Sequence, residues 1–165
     1  MKSERVVRCR NLDNVWKEVA ASELVFRLSI YGVCVREDKV LLHGYRDGWD
    51  FPGGGIERGE TLDEAFEREF HEETGLSARR GRLLRVASDF FIHPTSDQPL
   101  HTLLMFFATE AISGEISTEF FDEHEKAVAR AAEWKPLLEL RMLKFYNPLS
   151  MDENIDLVNA AATSL

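Results

Sequence analysis

A glycine-rich turn followed by an acidic helix constrains the fold of this chain more than any other stretch. The turn is Gly53–Gly55, and these glycines with Pro52 predict an absence of regular secondary structure and leave backbone groups unobstructed. Beyond it, Thr61 and Glu64 have the spacing of a helix capping box, and Gly75 provides a stop signal. The spacing therefore predicts a helix over residues 61–74.

Three glutamates of this helix fall on the side that should face the protein. At roughly 100° per residue, Glu69, Glu72 and Glu73 occupy about a third of the helix circumference, and the apolar Leu62 and Phe66 share that arc. Carboxylates removed from water must be neutralised, paired or bound to a metal. An all-oxygen ligand set suits a hard divalent cation such as Mg²⁺ or Mn²⁺. The other acidic residues of the helix lie opposite and are expected to be solvated: Asp63, Glu64 and Glu67.

Length and charge limit the classes of protein to which the chain can belong. Its 165 residues, 44% of them hydrophobic, fit a single domain over residues 1–165 with a sizeable core. A net charge of -9 argues against DNA as a partner and against general nucleic-acid binding, which depends on basic surface. If the substrate is a small phosphate ester, bound cations would have to bridge the protein carboxylates to the phosphate oxygens.

Cysteine usage and hydropathy predict a cytoplasmic protein with no membrane partner. Cys9 and Cys34 are too few and too far apart for a disulfide framework or a zinc site. The N-terminus lacks the apolar region of a signal peptide. The longest apolar run, residues 103–108, is far below the roughly 20 residues that a membrane-spanning helix needs.

Elements before and after the acidic helix indicate a layered domain of mixed α and β structure. Residues 6–19 fit either a strand or a short helix. Phe90 and Phe91 are expected in a loop between two strands. Strands are expected at residues 24–35, 40–43, 82–87 and 99–111, and helical composition is found at residues 127–132, 137–143 and 154–162.

The stretch from Gly54 to Leu76 resembles the signature of the Nudix hydrolases. That signature is Gly, five residues, Glu, seven residues, then Arg-Glu-apolar-x-Glu-Glu-x-Gly-apolar. With average residue frequencies, its fixed identities should coincide by chance on the order of once in 10⁸ placements. The chain matches every fixed position, with Gly54, Glu60, Arg68, Glu69, Phe70, Glu72, Glu73, Gly75 and Leu76.

The resemblance implies an enzyme with an α/β fold, a three-layer α/β/α sandwich with a mixed central sheet. It implies hydrolysis of a pyrophosphate bond in a nucleoside diphosphate linked to another group. Two substrate classes stay open, a nucleoside triphosphate, including an oxidised one, and a nucleotide sugar. Product analysis would separate them, because the second releases a sugar phosphate and a nucleoside monophosphate.

By position in the signature, the resemblance assigns roles to particular residues. Glu69, Glu72 and Glu73 match the metal ligands, with Mg²⁺ as the expected ion and Mn²⁺ as its substitute, and a backbone carbonyl at Gly53 or Gly54 resembles a further ligand. Glu60 and Arg68 match a structural pair that holds the loop to the helix, a role favoured over direct contact of Arg68 with substrate.

Other candidates lie outside the strict pattern. A carboxylate must take the proton of the attacking water. Candidates for this base are Glu72 and Glu73 in the helix and Glu119, Glu123 and Glu125 further along the chain. Arg46 is placed to reach a phosphate, and aromatic rings could flank a base by stacking: Tyr45, Phe90, Phe91 and His93.

Three alternatives remain open from the sequence. A non-catalytic nucleotide sensor on the same scaffold would bind its ligand without hydrolysing it. An RNA cap-processing enzyme is disfavoured because the chain lacks a basic stripe. The N-terminal segment with Trp16 could form a homodimer interface.

Overall fold

A computed structural model describes residues 4–121 and 125–163, with only the backbone of Glu125 included. The strands are β1 (Val6–Arg10), β2 (Trp16–Ala20), β3 (Val25–Arg36), β4 (Lys39–Tyr45), β5 (Gly48–Asp50), β6 (Gly53–Gly55), β7 (Ser77–Ile92), β8 (Pro99–Ser113) and β9 (Ala129–Pro136). The helices are α1 (Leu62–Thr74), α2 (Glu125–Val128) and α3 (Met151–Ala162), with 3₁₀ turns at Ala21–Glu23 and Leu137–Met142.

The strands form one mixed sheet in the order β2-β1-β7-β8-β3-β4-β5, with β6 paired to β3 and β9 paired to β4. β1 runs parallel to β7 and β3 runs parallel to β8, whereas the other pairs are antiparallel. The predicted α/β fold with a mixed central sheet is confirmed.

Alternation along β3 places apolar side chains on both faces of the sheet. Ile30 and Cys34 pack with α1 residues such as Phe66, whereas Val33 and Val35 pack on the other face with residues of α3. A strand buried on both faces reads as a nearly continuous apolar run, because each face needs every second residue. The sheet is therefore the middle of three layers, with α1 on one face and α3 on the other.

The helix that carries the glutamates begins and ends where its local signals predict. The Thr61 hydroxyl accepts a hydrogen bond from the Glu64 N–H at 3.3 Å, and the Glu64 carboxylate accepts one from the Thr61 N–H at 2.8 Å. At the other end Gly75 adopts a left-handed conformation with φ 76°, and its N–H donates to the His71 carbonyl. These contacts satisfy backbone groups that have no partner within the helix.

Four expectations about secondary structure change with the structure. Gly53–Gly55, expected to lie outside regular structure, form strand β6 because they pair with β3. Residues 6–19 form an antiparallel hairpin of β1 and β2. Phe90 and Phe91 were expected in a loop but lie in β7, where they pair with His101 and Leu100 of β8. The helix expected at residues 127–132 ends at Val128, and β9 follows because its residues pair with β4, a long-range contact that overrides helical composition.

No helix among the described residues is both long and apolar enough to cross a membrane.

Candidate active site

A cavity of about 310 Å³ lies where the glycine strand β6, helix α1 and the segment after β9 approach one another. One side is formed by Gly53–Gly55 with Glu69 and Glu73 of α1. Aromatic and amide side chains also line the cavity, among them Tyr45, Phe91, Tyr146 and Asn147. The cavity therefore combines acidic with aromatic side chains, as a ligand with a charged part and a planar part requires.

The glycines of β6 are required by two close approaches. A Cβ at Gly53 would lie 2.0 Å from the Ile30 carbonyl oxygen of β3, and Gly53 also has a φ of 148°. A Cβ at Gly54 would lie 2.4 Å from an oxygen of Glu69. Only glycine lets this strand pair with β3 while the carboxylate of α1 rests against its backbone.

The Glu73 carboxylate is held against the glycine strand by neutral groups. Its Oε2 accepts a hydrogen bond of 2.8 Å from the Gly53 N–H, and its side chain is 14% exposed. The imidazole of His43, on β4, lies beside it, and burial lowers the pKa of this imidazole to about 4. These two contacts fix the orientation of Glu73.

Arg68 contacts the other two glutamates of the cluster. Its guanidinium lies 2.9 Å from a Glu69 oxygen and 3.2 Å from a Glu72 oxygen. It also makes two hydrogen bonds to Glu60, of 2.6 and 2.8 Å, and one of 3.0 Å to the Gly55 carbonyl. Arg68 thus joins the loop, the glycine strand and the helix, and this is the geometry that a loop–helix pair needs.

Burial is the main influence on the charge of Glu69. Removal from water raises the pKa of its carboxyl to about 7, and the Arg68 guanidinium opposes this effect by favouring the charged form. For the more exposed Glu60, the hydrogen bonds from Arg68 dominate and lower the pKa of the carboxyl. Positive charge near Glu69 therefore decides whether that carboxylate is ionised at neutral pH.

The donor set fits a hard divalent cation. Glu69 and Glu73 both line the cavity, and the side-chain atoms that could coordinate a metal are carboxylate oxygens, the ligand atoms that Mg²⁺ and Mn²⁺ prefer. The Glu72 side chain is 41% exposed and lies outside the cavity lining. Among the described residues, no three His, Cys, Asp or Glu side chains converge closely enough to enclose an ion as they stand. Glu72 would have to turn from Arg68 to join the other two.

The cavity contains some of the side chains predicted to bind substrate and not others. Tyr45, Phe91 and His93 line it. Arg46 lies outside the lining, with its guanidinium 2.9 Å from a carboxylate oxygen of Asp13. Phe90, next to Phe91 in the strand, points to the opposite face and lies against His101, with ring centroids 4.6 Å apart.

The downstream candidates for the general base are only partly described. Glu119 is exposed and lies outside the cavity lining. Glu123 falls outside the described residues, and Glu125 is described only as the first residue of the short helix α2.

Arg27 on β3 is a cavity residue that the sequence interpretation missed. Its guanidinium reaches to 2.7 Å from where a Cβ on Gly55 would lie. Within the described part of the chain it makes no hydrogen bond and no ion pair, so its donors are available to a ligand. A signal was present in the sequence, since Arg27 and Ser29 place polar side chains at alternate positions of an otherwise apolar strand.

Asp50 at the end of β5 is a second missed residue. Its Oδ1 accepts hydrogen bonds from the Phe51 N–H at 2.9 Å and the Asn147 amide at 2.8 Å, and Asn147 also donates to Asn154 of α3 at 3.0 Å. Burial raises the pKa of the Asp50 carboxyl to about 6. This network connects the cavity to helix α3.

Comparison with known proteins identifies the family of the chain. Residues 25–155 match the model of the NUDIX domain. An ADP-ribose pyrophosphatase of Methanocaldococcus jannaschii is 31% identical over 129 residues, which are 66% of this chain and 74% of that protein. A diphosphoinositol polyphosphate phosphohydrolase 3-alpha of Mus musculus is 32% identical over 120 residues, 69% of this chain but only 65% of that protein.

Solved structures share the fold at lower identity. A Nudix hydrolase from Nitrosomonas europaea superposes with a TM-score of 0.63 at 19% identity, covering 83% of this chain and 91% of that one. This likeness concerns the fold alone, whereas the match to the NUDIX domain covers most of the chain and includes the glycine strand and the glutamate helix. The chain therefore belongs to the Nudix hydrolases, a family of pyrophosphohydrolases.

Proposed function

We propose that this chain hydrolyses the pyrophosphate bond of a nucleoside diphosphate linked to a sugar, with the help of Mg²⁺ or Mn²⁺. The observation that carries the proposal is the cavity itself, which brings Glu69 and Glu73 together with Arg27 and several aromatic side chains. A pyrophosphate needs cations and a hydrogen-bond donor to its oxygens, and a nucleoside needs a planar apolar surface.

The cation would be held by Glu69, Glu72 and Glu73, with the backbone at Gly53 beside them. When bound, a divalent cation neutralises charge on the phosphate oxygens and lowers the pKa of water. Arg68 would hold the glutamates and the glycine strand in fixed relative positions through its contacts to Glu60 and Gly55. Its role is then to preorganise the cluster, because the same guanidinium touches loop, strand and helix.

The side chains of the chain itself would orient the substrate. Arg27 is placed to donate hydrogen bonds to a phosphate oxygen, since its guanidinium lies beside Gly55 in the cavity. Tyr45 and Phe91 would contact the base or the sugar. Glu72 is the most exposed glutamate of the cluster and can pass a proton from water to solvent once it has accepted it.

The relatives support a nucleotide sugar over a highly phosphorylated substrate. The Methanocaldococcus protein is an ADP-ribose pyrophosphatase. The mouse relative is a diphosphoinositol polyphosphate phosphohydrolase, and a polyphosphorylated ring would need many cationic partners. The described cavity lining has two arginines, no lysine and four carboxylates, and one of those arginines, Arg10, is already bonded to Asp89 at 2.9 Å.

A panel of substrates tests the proposal. ADP-ribose and other nucleotide sugars, nucleoside triphosphates with and without an oxidised base, and a diphosphoinositol polyphosphate are incubated with Mg²⁺ or Mn²⁺, and products are separated by chromatography. We expect a nucleoside monophosphate and a sugar phosphate, and no turnover in excess EDTA. If the fastest reaction is instead the release of pyrophosphate from nucleoside triphosphates, the substrate is a nucleoside triphosphate and not a nucleotide sugar.

One outcome would overturn hydrolysis altogether. If a nucleotide binds in a calorimeter with Mg²⁺ present, yet no product forms over hours with any substrate of the panel, the chain is a nucleotide sensor on a Nudix scaffold.

A further inference from the structure

His43 is a buried imidazole at a position where an apolar side chain would be expected. It follows Val40, Leu41 and Leu42 in β4, and all four residues are buried, with His43 only 3% exposed. Its ring packs edge-on against Phe121, with centroids 5.7 Å apart. A leucine or valine would fill this space without bringing polar nitrogens into the interior, so the imidazole needs a polar partner that justifies its burial.

That partner is Glu73, which the ring contacts at two atoms. His43 Nδ1 lies 3.3 Å from the Glu73 backbone carbonyl oxygen, and Nε2 lies 3.7 Å from Oε1 of the same residue. A carbonyl oxygen can only accept, so Nδ1 is the donor in the first contact. The second contact is too long for a direct hydrogen bond, and it places the ring edge against the carboxylate.

The hydrogen bond occurs where the helix needs one. Glu73 is the second-last residue of α1, and the last four carbonyls of a helix have no partner within it. The Ser117 N–H donates to the Thr74 carbonyl at 3.0 Å, and His43 donates to the carbonyl of Glu73. The strand β4 thereby fixes the backbone of one proposed metal ligand, in addition to the contact that the glycine strand makes with its carboxylate.

We propose that His43 is a positioning residue for Glu73, holding its backbone so that the carboxylate keeps the orientation that binds the divalent cation. This inference rests on the proposed function, because it needs a cation at Glu73. The Gly53 N–H, 2.8 Å from Oε2, would hold the carboxylate, and the His43 Nδ1–H would hold the backbone that carries it. Residues that contact a metal ligand, and not the metal itself, change the affinity for the metal by orienting that ligand.

Three substitutions at this position separate positioning from packing. His43→Leu fills a similar space with no polar atom. His43→Asn places an amide N–H near the position of Nδ1 and keeps the donor to the Glu73 carbonyl. His43→Gln extends its amide toward the position of Nε2 and loses that donor. For each, Mn²⁺ binding is measured by the EPR signal of free Mn²⁺, and thermal unfolding is measured in EDTA.

We expect His43→Leu to bind Mn²⁺ about ten to a hundred times more weakly than the parent, with an unfolding temperature in EDTA that is equal or higher. His43→Asn should recover most of the affinity and His43→Gln little of it. Mn²⁺ affinity within a factor of two of the parent in both His43→Leu and His43→Gln would overturn the proposal. If His43→Leu does not fold, the Asn and Gln variants decide, and equal affinity in the two would overturn it.

Two further results would be decisive. A coupling between bound Mn²⁺ and an imidazole nitrogen of the parent would show that His43 is a ligand and would overturn the positioning role. A parent protein that binds no Mn²⁺, while Glu73→Gln behaves identically, would overturn the proposed function together with this inference. A failure confined to the His43 variants leaves the proposed function standing.

Discussion

Helices α1 and α3 begin in the same way on opposite faces of the sheet, yet only α1 places ionisable side chains in the described cavity lining. Both start with a reciprocal capping box, Thr61 with Glu64 in α1 and Ser150 with Glu153 in α3. Both bury one apolar stripe against the sheet. The box therefore marks where a helix begins, and it carries no information about function.

The difference lies in the polar side chains within the two buried stripes. In α3 the polar residue is Asn154, whose amide donates to the Ser150 carbonyl and accepts from Asn147. A neutral amide with these partners is satisfied by the chain itself. In α1 the buried Thr74 is likewise satisfied by the chain, since its hydroxyl donates to the Phe70 carbonyl. The partly buried carboxylates Glu69 and Glu73 line the cavity, and a carboxylate removed from water needs a compensating charge as well as hydrogen bonds. The buried stripe of α3 is complete as folded, whereas α1 presents carboxylates to the cavity, where we propose that they bind a cation.

The largest expected effect comes from Glu73→Gln in α1. Gln keeps the length of the side chain and an oxygen for the Gly53 N–H but loses the negative charge. We expect turnover to fall on the order of 10³-fold, about 4 kcal/mol of transition-state stabilisation, because a cation ligand is lost. The unfolding temperature in EDTA should change by only a few degrees.

The matched control for this substitution is Glu67→Gln, on the exposed side of the same helix. Steady-state rates with the best substrate of the panel should be unchanged in this variant. If Glu73→Gln keeps more than a tenth of the parent rate at saturating Mg²⁺, α1 does not differ from α3 in the way proposed.

The second prediction concerns the packing role of α3. Leu157 is 3% exposed in the cluster that includes Val33 and Phe106. We expect Leu157→Ala to lower the free energy of unfolding by about 3 kcal/mol, through lost burial and the cavity left behind. Urea denaturation measures this change, and KM and the Mn²⁺ requirement of the folded variant should equal those of the parent. A shift in metal requirement would show that α3 acts on the site.

Local signals explain how much of these helices the sequence could predict. The limits of α1 were predicted within one residue, because its cap, its stop and its apolar period all lie within the helix and its flanks. The start of α3 was placed at residue 154, three residues after its observed start at Met151, although Ser150 and Glu153 form the same type of box. Phe90 and Phe91 were misplaced because their strand is defined by pairing with distant β8.

The same distinction applies to the cavity. Glu69 and Glu73 were identified because their helical spacing and the family pattern both lie in one short stretch. Arg27 enters the cavity only because β6 pairs with β3, a register that no local signal specifies. Arg46 was chosen for its nearness in sequence to the glycine turn, but its backbone has a φ of 49° and its side chain pairs with Asp13.

The third prediction tests Asp50, where α3 reaches the cavity through Asn147. Burial raises the pKa of the folded carboxyl to about 6, above the roughly 3.9 of an unfolded chain. Below pH 4 both states are protonated. As the pH rises from 4 to 6 the unfolded state loses its proton first, so the parent loses up to about 3 kcal/mol of stability at 1.36 kcal/mol per pKa unit.

Asp50→Asn cannot ionise and keeps an oxygen to accept from the Phe51 N–H and from Asn147. Its free energy of unfolding, relative to that of the parent, should therefore increase between pH 4 and pH 6 and level off above that range. Urea denaturation of the two proteins at several pH values gives this difference, which cancels the titration of other carboxyls. A difference that is constant over the range would show that Asp50 is ionised in the folded state throughout.

The smallest expected effect comes from removing the capping side chain of either helix, which should destabilise the protein by the same amount in both cases. Thr61→Ala and Ser150→Ala each remove a side-chain acceptor for an N–H of the first turn, and each should cost about 1 kcal/mol of stability by urea denaturation. Turnover should be unchanged in both, since Glu69 lies two turns beyond Thr61 and is held by Arg68. A loss of turnover in Thr61→Ala alone, at equal loss of stability, would show that the start of α1 reaches the site through the neighbouring Glu60 and its bond to Arg68. That result would make the N-terminal box of α1 part of the active site and leave the box of α3 purely structural.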